Sequence, residues 1–256
     1  MARVSFDLSG RSALITGGGR GIGRAVAREL AKAGADVVVS ARSEDQLRAT
    51  VDEIRSVTDR QAEYIVADMT DRSQARPMVE KATQKLGKID ILFNNAGSNV
   101  PQPVEEITDK VWDQLIELNF SSCMALTRAV VPQMKDRGWG RVIYTASIMA
   151  VTANPQRSAY CGTKAALVGM AHSQALELGP HGITVNCISP GPVATELPMS
   201  LLSKEQQDTF AGRTALGRWG EPDEMAGPVI FLASDAGSYV TGANLVVDGG
   251  CTIKTF

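Results

Sequence analysis

Apolar residues along the chain fall into short runs separated by longer periodic stretches. Ser12 to Thr16 (Ser-Ala-Leu-Ile-Thr) is a short apolar run that stops at glycines, the pattern of a buried strand. Similar runs predict strands at 36–41, 63–67, 89–93, 141–146, 182–188 and 243–247. Between them, helices are predicted over 24–33 (ended by Gly34), over 71–86 (closed by Gly87), over 108–135 and over 221–233, where Pro222 lies in the first turn. Ser43 predicts another helix start, with Gln46 three residues on completing a capping box. A further helix carries Tyr160 and Lys164, with Pro155 near its start. Strand and helix alternate throughout, which predicts an α/β fold: one parallel sheet with helices on both faces. No linker, repeat or low-complexity segment interrupts 1–256, so a single domain is expected.

Composition narrows the function classes. Of 256 residues, 44% are apolar and 21% charged, as in soluble globular proteins. A net charge of −2 points away from nucleic-acid or anionic-membrane partners. There is no apolar run of membrane-spanning length, and Met1 to Leu8 lacks the apolar core of a signal peptide. Cys123, Cys161, Cys187 and Cys251 are scattered without metal-type spacing, so buried thiols in a reducing cytoplasm are expected. With only His172 and His181 available, no histidine metal site is expected.

The candidate chemistry lies where strands end. Thr16 to Gly23 (Thr-Gly-Gly-Gly-Arg-Gly-Ile-Gly) joins a strand to a helix, the context a dinucleotide site requires. Glycines admit a pyrophosphate close to the backbone, and the helix start offers free N–H groups. Gly-Lys-Ser/Thr is missing, which excludes a nucleoside-triphosphate loop. The second strand ends at Ser40 and Ala41 rather than at an acid for a ribose 2′-hydroxyl, and Arg42 follows. Arg20 could face the same spot, and two guanidiniums suit a 2′-phosphate, so NADP is favoured over NAD. Glu44 and Asp45 count against this, unless they serve the first turn of a helix. Asp68 ends the third strand and could accept from an adenine amine or cap a helix. Asn94-Asn95-Ala96-Gly97 ends the fourth, where small and amide residues suit a cofactor in the crevice. Asn119, in the midst of a helix, is either a structural hydrogen-bonding residue or a group that holds water near the site.

Tyr160 and Lys164 lie four positions apart, on one face of a helix. An ammonium roughly 4 Å from a phenol, at an effective dielectric of about 20, favours the phenolate by up to ~4 kcal/mol. Ser147 follows the fifth strand, where a loop can bring its hydroxyl beside the phenol. Three helix breakers among Ser189-Pro190-Gly191-Pro192 fix a rigid turn. Residues 192–219 then read as a cover over a substrate pocket.

Taken together, Thr16-Gly-x-x-x-Gly-Ile-Gly23, Asp68, Asn94-Asn-Ala-Gly97, Asn119, Ser147, Tyr160-x-x-x-Lys164 and Pro190-Gly191 make the chain resemble the short-chain dehydrogenase/reductase family over essentially its whole length. The resemblance implies a doubly wound Rossmann-type sheet of seven strands and a homotetramer. It implies that Tyr160 is the acid–base group, that Lys164 favours its ionised form and bonds the nicotinamide ribose, and that Ser147 donates to the substrate oxygen. Asn119 would position a water joining Lys164 to solvent. Gly17, Gly21, Ile22 and Gly23 fall to the pyrophosphate, Asn95 (within Asn94–Gly97, with Ala96) to the ribose side, and Pro190, Gly191, Val193 and Thr195 to the nicotinamide. Basic residues at Arg20 and Arg42 go with NADP in this family. The chain is generally similar to members acting on sugar acids such as gluconate and to 3-oxoacyl-carrier-protein reductases. Asn99, Asn154, Gln156 and Glu196 lean toward a hydroxylated small substrate; Met149, Val151, Leu197 and Met199 allow an apolar one. An acidic carrier protein would want a basic patch, and Arg157 stands without a cluster. A non-catalytic dinucleotide-binding sensor or scaffold is the expectation of a different class.

Overall fold

The computed structural model describes residues 4–254. Seven strands, β1 (Ser12–Thr16), β2 (Asp36–Ala41), β3 (Ala62–Val66), β4 (Ile91–Asn94), β5 (Gly140–Thr145), β6 (Ile183–Pro190) and β7 (Asn244–Val247), form one parallel sheet in the order β3-β2-β1-β4-β5-β6-β7. The helices are α1 (Gly21–Lys32), α2 (Glu44–Val57), α3 (Ala75–Leu86), α4 (Asp109–Ile116), α5 (Ser122–Arg137), α6 (Ser158–Leu178), α7 (Glu196–Leu201), α8 (Lys204–Gly212) and α9 (Ala226–Ala233).

Because strand side chains alternate, each strand feeds two cores. Leu14, Val38, Leu92, Val142 and Tyr144 face α3, α5 and α6, meeting Val79, Val130 and Leu167. Ala13, Ile15, Val39, Phe93 and Ile143 face α1, α2 and α9, meeting Val26, Val51 and Val229. The strand order reverses between β1 and β4, so a crevice opens beyond their carboxyl ends. Thr16, Asn94, Thr145 and Pro190 end the four strands around it.

Element boundaries differ from the sequence expectation where side chains take over backbone partners. The fourth strand begins at Ile91 rather than Ile89. The Ile89 N–H donates to Gln133 Oε1 at 3.0 Å and its carbonyl accepts from Arg137 at 2.7 Å, which removes it from the ladder. Residues 71–74 form a capped 3-10 turn before α3, and 222–225 another before α9. The helix expected over 108–135 is α4 and α5 joined by a π-helical turn, Glu117–Ser121. The capping box expected at Ser43 is half made: Ser43 accepts the Gln46 N–H at 3.5 Å, while the Gln46 side chain lies against Gly19. A complete box closes at Ser203–Gln206 instead. No helix among the described residues is long and apolar enough to cross a membrane, and no cluster of His, Cys, Asp or Glu among them could hold a metal.

Candidate active site

The glycine loop after β1 is shaped by close packing. Gly23 lies so near the Gly17 carbonyl that any Cβ would collide with it, and this closes α1 onto the loop. Arg20 is the extended N-cap of α1 and makes no side-chain cap bond, and the first turn carries no acid. The N–H groups of that turn are therefore left for a ligand, at the positive end of the helix dipole. The Thr195 methyl approaches Gly21 from the loop after β6, so Gly21, Ile22, Gly23 and Thr195 line one rim. Free N–H donors suit a pyrophosphate, and on that ground the loop fits a dinucleotide, with the Glu196 carboxylate standing at its rim near Gly21. Gly191 is held by the same logic: a Cβ there would meet the Asp248 backbone at 2.7 Å. Pro192 and Val193 are pinned to Gly220, through the Gly220 N–H to Pro192 carbonyl bond at 2.9 Å and a bridge between Val193 and Gly220.

Beside the loop lies a cavity of about 320 Å³ lined by Gly19, Arg20, Arg24, Asp45, Gln46, Ala49 and Glu196. Arg42 is not part of this lining; it stands exposed just beyond β2. Neither Arg20 nor Arg42 has a side-chain partner among the described residues, whereas Arg24 pairs with Glu53 at 2.6 Å. Glu44, which counted toward a ribose hydroxyl, is engaged with Arg48 at 3.0 Å and with the Tyr64 hydroxyl at 2.8 Å. Asp68 accepts from both the N–H and the hydroxyl of Thr70 at 2.9 Å, while the 3-10 turn that follows is capped by Asp71.

Lys164, Tyr160 and Asn119 come together past the ends of β4 and β5, and Ser147 follows two residues after Thr145, which anchors Lys164. Lys164 is buried at 4% exposure, and its Nζ donates to the Thr145 carbonyl at 2.6 Å. That leaves two of its three N–H donors available. The same Nζ stands 5.6 Å from the centre of the half-buried Tyr160 ring. Its charge is felt around the site: burial pushes the Cys123 thiol up to about 11 and the Cys187 thiol up to about 12, and the Lys164 ammonium opposes both rises. Ser147 is extended and caps a short 3-10 turn, its Oγ accepting the Met149 N–H at 3.1 Å. The Ser147 hydroxyl proton is thus free to point elsewhere.

Asn119 is fully buried inside the π-helical turn. Its Oδ1 accepts the Ser98 N–H at 2.9 Å, and its Nδ2 donates to the Ser98 carbonyl at 2.9 Å and to Thr163 Oγ1 at 3.2 Å. The amide therefore ties the loop after β4 to both α5 and α6. Asn95 is occupied in a comparable way. Its Nδ2 donates to the Thr16 and Gly17 carbonyls at 3.1 and 3.4 Å, and its Oδ1 accepts from Thr145 at 3.3 Å. The Asn95 and Ala96 N–H groups both reach Thr16 Oγ1 at 3.0 Å. Asn94 is buried with neither amide atom paired. At Gly97 a side chain would stand 3.5 Å from Lys164 Nζ, so its absence keeps that nitrogen uncrowded.

Sequence reading missed Thr16, Thr145 and Thr163, which hold Asn95, Lys164 and Asn119 in place. Each is an ordinary threonine at a strand end or helix turn, and only the pairing reveals it. The segment expected as a cover, 192–219, contains α7 and α8 and is held by the Phe210 and Trp219 rings, 5.5 Å apart and tilted by 57°, and by the Trp219 indole N–H on the Gln207 carbonyl at 2.8 Å. The Leu197 side chain lies outside the described residues.

A doubly wound sheet with a glycine-loop helix start, and a buried lysine one turn from a tyrosine, defines a dinucleotide-dependent oxidoreductase. A family model described as "Enoyl-(Acyl carrier protein) reductase" matches residues 17–252. Gluconate 5-dehydrogenase of Gluconobacter oxydans is 36% identical over 250 residues, covering 97% of each chain. The 3-oxoacyl-[acyl-carrier-protein] reductase of Thermotoga maritima is 36% identical over 246 residues, covering 96% of this chain and 99% of that one. A Beutenbergia cavernae structure, described provisionally as an NAD(P)-dependent gluconate 5-dehydrogenase with NADP bound at low occupancy, superposes with a TM-score of 0.92 at 36% identity, covering 97% of this chain and 99% of that one. The chain belongs to the short-chain dehydrogenase/reductase family and is an enzyme of that class.

Proposed function

We propose that the protein transfers a hydride between NADP(H) and the carbonyl or secondary-alcohol carbon of a small hydroxylated substrate, with Tyr160, Ser147, Lys164 and Asn119 as its catalytic set. The observation that carries this reading is the buried Lys164, anchored on the Thr145 carbonyl one helical turn from Tyr160. When bound, NADP(H) supplies or accepts the hydride. Tyr160 gives its proton to the carbonyl oxygen in reduction and takes the hydroxyl proton in oxidation. Ser147 donates its free proton to the same oxygen and stabilises charge that develops there. Lys164 offers its remaining donors to the ribose. The Asn119 amide is occupied by Ser98 and Thr163 and its main-chain carbonyl accepts from the Cys123 thiol at 3.6 Å, so a water held there would use that carbonyl's second lone pair. Gly17, Gly21, Ile22, Gly23 and Thr195 hold the pyrophosphate region, and Pro190, Gly191 and Val193 the nicotinamide. Asn95, Ala96 and Gly97 shape the ribose side, and Asp68 the adenine end.

Support for NADP comes from the unpaired Arg20 and Arg42 and from the engagement of Glu44 with Arg48 and Tyr64. A sugar acid or polyol is the substrate class favoured by Asn99, Asn154, Gln156 and Glu196. The two relatives above, one named for gluconate and one for a 3-oxoacyl carrier protein, are equally similar, so reduction of a 3-oxoacyl thioester is the competing substrate class. A homotetramer is the assembly that the family resemblance favours. The decisive experiment replaces Tyr160 by Phe. Turnover of NADPH or NADP should fall to background while cofactor binding, followed by fluorescence, persists. Unchanged turnover would overturn the assignment of Tyr160, and absence of wild-type NADP(H) turnover with every carbonyl in a broad panel would leave a binding protein.

A further inference from the structure

Gln156 has φ 65; every other described residue with positive φ is a glycine. Glycine adopts this conformation freely, and a glutamine does not. Nothing local compensates the strain. The Gln156 side chain is exposed and has no hydrogen-bond partner among the described residues. Only its carbonyl is used, accepting the Gln102 N–H at 3.1 Å. Backbone strain of this kind concentrates at functional sites. Gln156 lies in the loop that joins Ser147 to Tyr160, next to Arg157, the N-cap of α6. Arg157 is half-buried; its carbonyl accepts the Cys161 N–H at 2.7 Å, while its guanidinium has no hydrogen bond or ion pair among the described residues.

The facing loop carries a complementary deficit. Asn99 Oδ1 and Gln102 Oε1 are buried without any hydrogen-bond donor. That loop is tied to the catalytic cluster through Ser98 and Asn119. Buried acceptors without donors are rare, and each calls for a partner. A ligand with several hydroxyl groups carries such donors, and an acyl chain does not. A carboxylate on the same ligand matches the free guanidinium.

We propose that Gln156 and Arg157 are the substrate-recognition residues of this site: Gln156 offers its amide to the hydroxyl groups of a small polyhydroxylated acid, and Arg157 binds the carboxylate. This rests on the hydride-transfer reading above and names its substrate class. The strained backbone at 156 holds the amide out of the loop, and the bond to Gln102 couples it to the loop after β4.

The test uses the full chain with NADP and two probes, D-gluconate for oxidation and acetoacetyl-CoA for reduction. Gln156→Gly keeps the backbone conformation and removes only the amide; Arg157→Gln removes only the charge. Each should raise KM for gluconate by about tenfold with kcat little changed, as expected for loss of one good hydrogen bond, and should leave acetoacetyl-CoA kinetics alone. The unfolding temperature of Gln156→Gly should not fall. Calorimetric titration of gluconate into the NADP-loaded protein should show the same weakening. Unchanged gluconate KM and affinity in both variants would overturn the proposal, as would equal losses on both probes. Wild-type turnover of the thioester with no gluconate turnover or binding would also overturn it, while leaving hydride transfer standing. Failure of the hydride-transfer reading itself shows separately, as absence of NADP(H) turnover by the wild type with either probe.

Discussion

Replacing Asn119 by Ala tests whether its amide works mainly through the loop that it holds. The substitution deletes three hydrogen bonds and leaves the Ser98 N–H and carbonyl, and the Thr163 hydroxyl, without their partner. A buried group stripped of its partner costs about 1–3 kcal/mol. Thr163 retains its bond to the Tyr160 carbonyl at 2.8 Å, so the loss falls on Ser98. Ser98 is half-buried, and water can replace part of what is lost, so a total of about 2–3 kcal/mol is expected for the pair. For a chain of this size each kcal/mol moves the unfolding midpoint by roughly 2–4 °C, giving a fall of about 4–12 °C. Turnover should drop as well, since the same loop carries Gly97 beside Lys164. The assay pairs a calorimetric melt with steady-state kinetics on the same preparation. Asn119→Asp, which keeps the acceptor for the Ser98 N–H and loses both donors, should melt between wild type and Asn119→Ala. If Asn119→Ala loses turnover but melts within about 1 °C of wild type, the amide is not holding the loop and the reasoning fails.

Two further outcomes can be checked independently. Replacing Arg20 and Arg42 together by Ala should weaken NADPH binding by roughly 10–100-fold or more, the value of one or two charge-assisted hydrogen bonds, and leave NADH binding nearly unchanged; an equal loss for both coenzymes in fluorescence titrations would remove the 2′-phosphate argument. The segment after α8 is pinned by Arg218, whose two guanidinium nitrogens each reach a Glu224 oxygen at 2.7 Å and hold that carboxyl down from 4.5 to about 2. A depressed carboxyl stabilises the fold above its ordinary pKa and ceases to do so as pH falls through its folded value. Amide exchange over 213–225, corrected for intrinsic rates, should therefore accelerate as pH falls from 4.5 toward 2, and Glu224→Gln should exchange fast already at pH 4.5. Equal exchange in wild type and Glu224→Gln at every pH would sink this account.

The alternation of apolar runs with helical stretches was legible because burial imposes it locally. Val37 to Val39 and Ile91 to Phe93 are buried on both faces of a parallel sheet, so they read as continuous apolar segments. The site motifs were legible for a similar reason: the glycine loop, Tyr160 and Lys164 must keep fixed offsets along one loop or one helix face. Ile89 was misassigned because its backbone partners are side chains of α5, some 44 residues away for Gln133. The left-handed turn at Gln156 was hidden because nothing in a glutamine announces a positive φ.

The sequence by itself determined the fold class and the enzyme family, and marked the dinucleotide loop and the Tyr160–Lys164 pair as candidates. These depend on periodicity and on spacings of a few residues, which survive in one dimension. Only the tertiary structure decided what each polar group is bonded to. It gave the Asn119 and Asn95 amides to backbone groups and threonine hydroxyls, anchored Lys164 on Thr145, left the Arg20, Arg42 and Arg157 guanidiniums without a partner among the described residues and occupied Glu44. A hydrogen bond is directional and effective only at about 3 Å, so its partner is chosen by how distant segments meet, which no local pattern encodes.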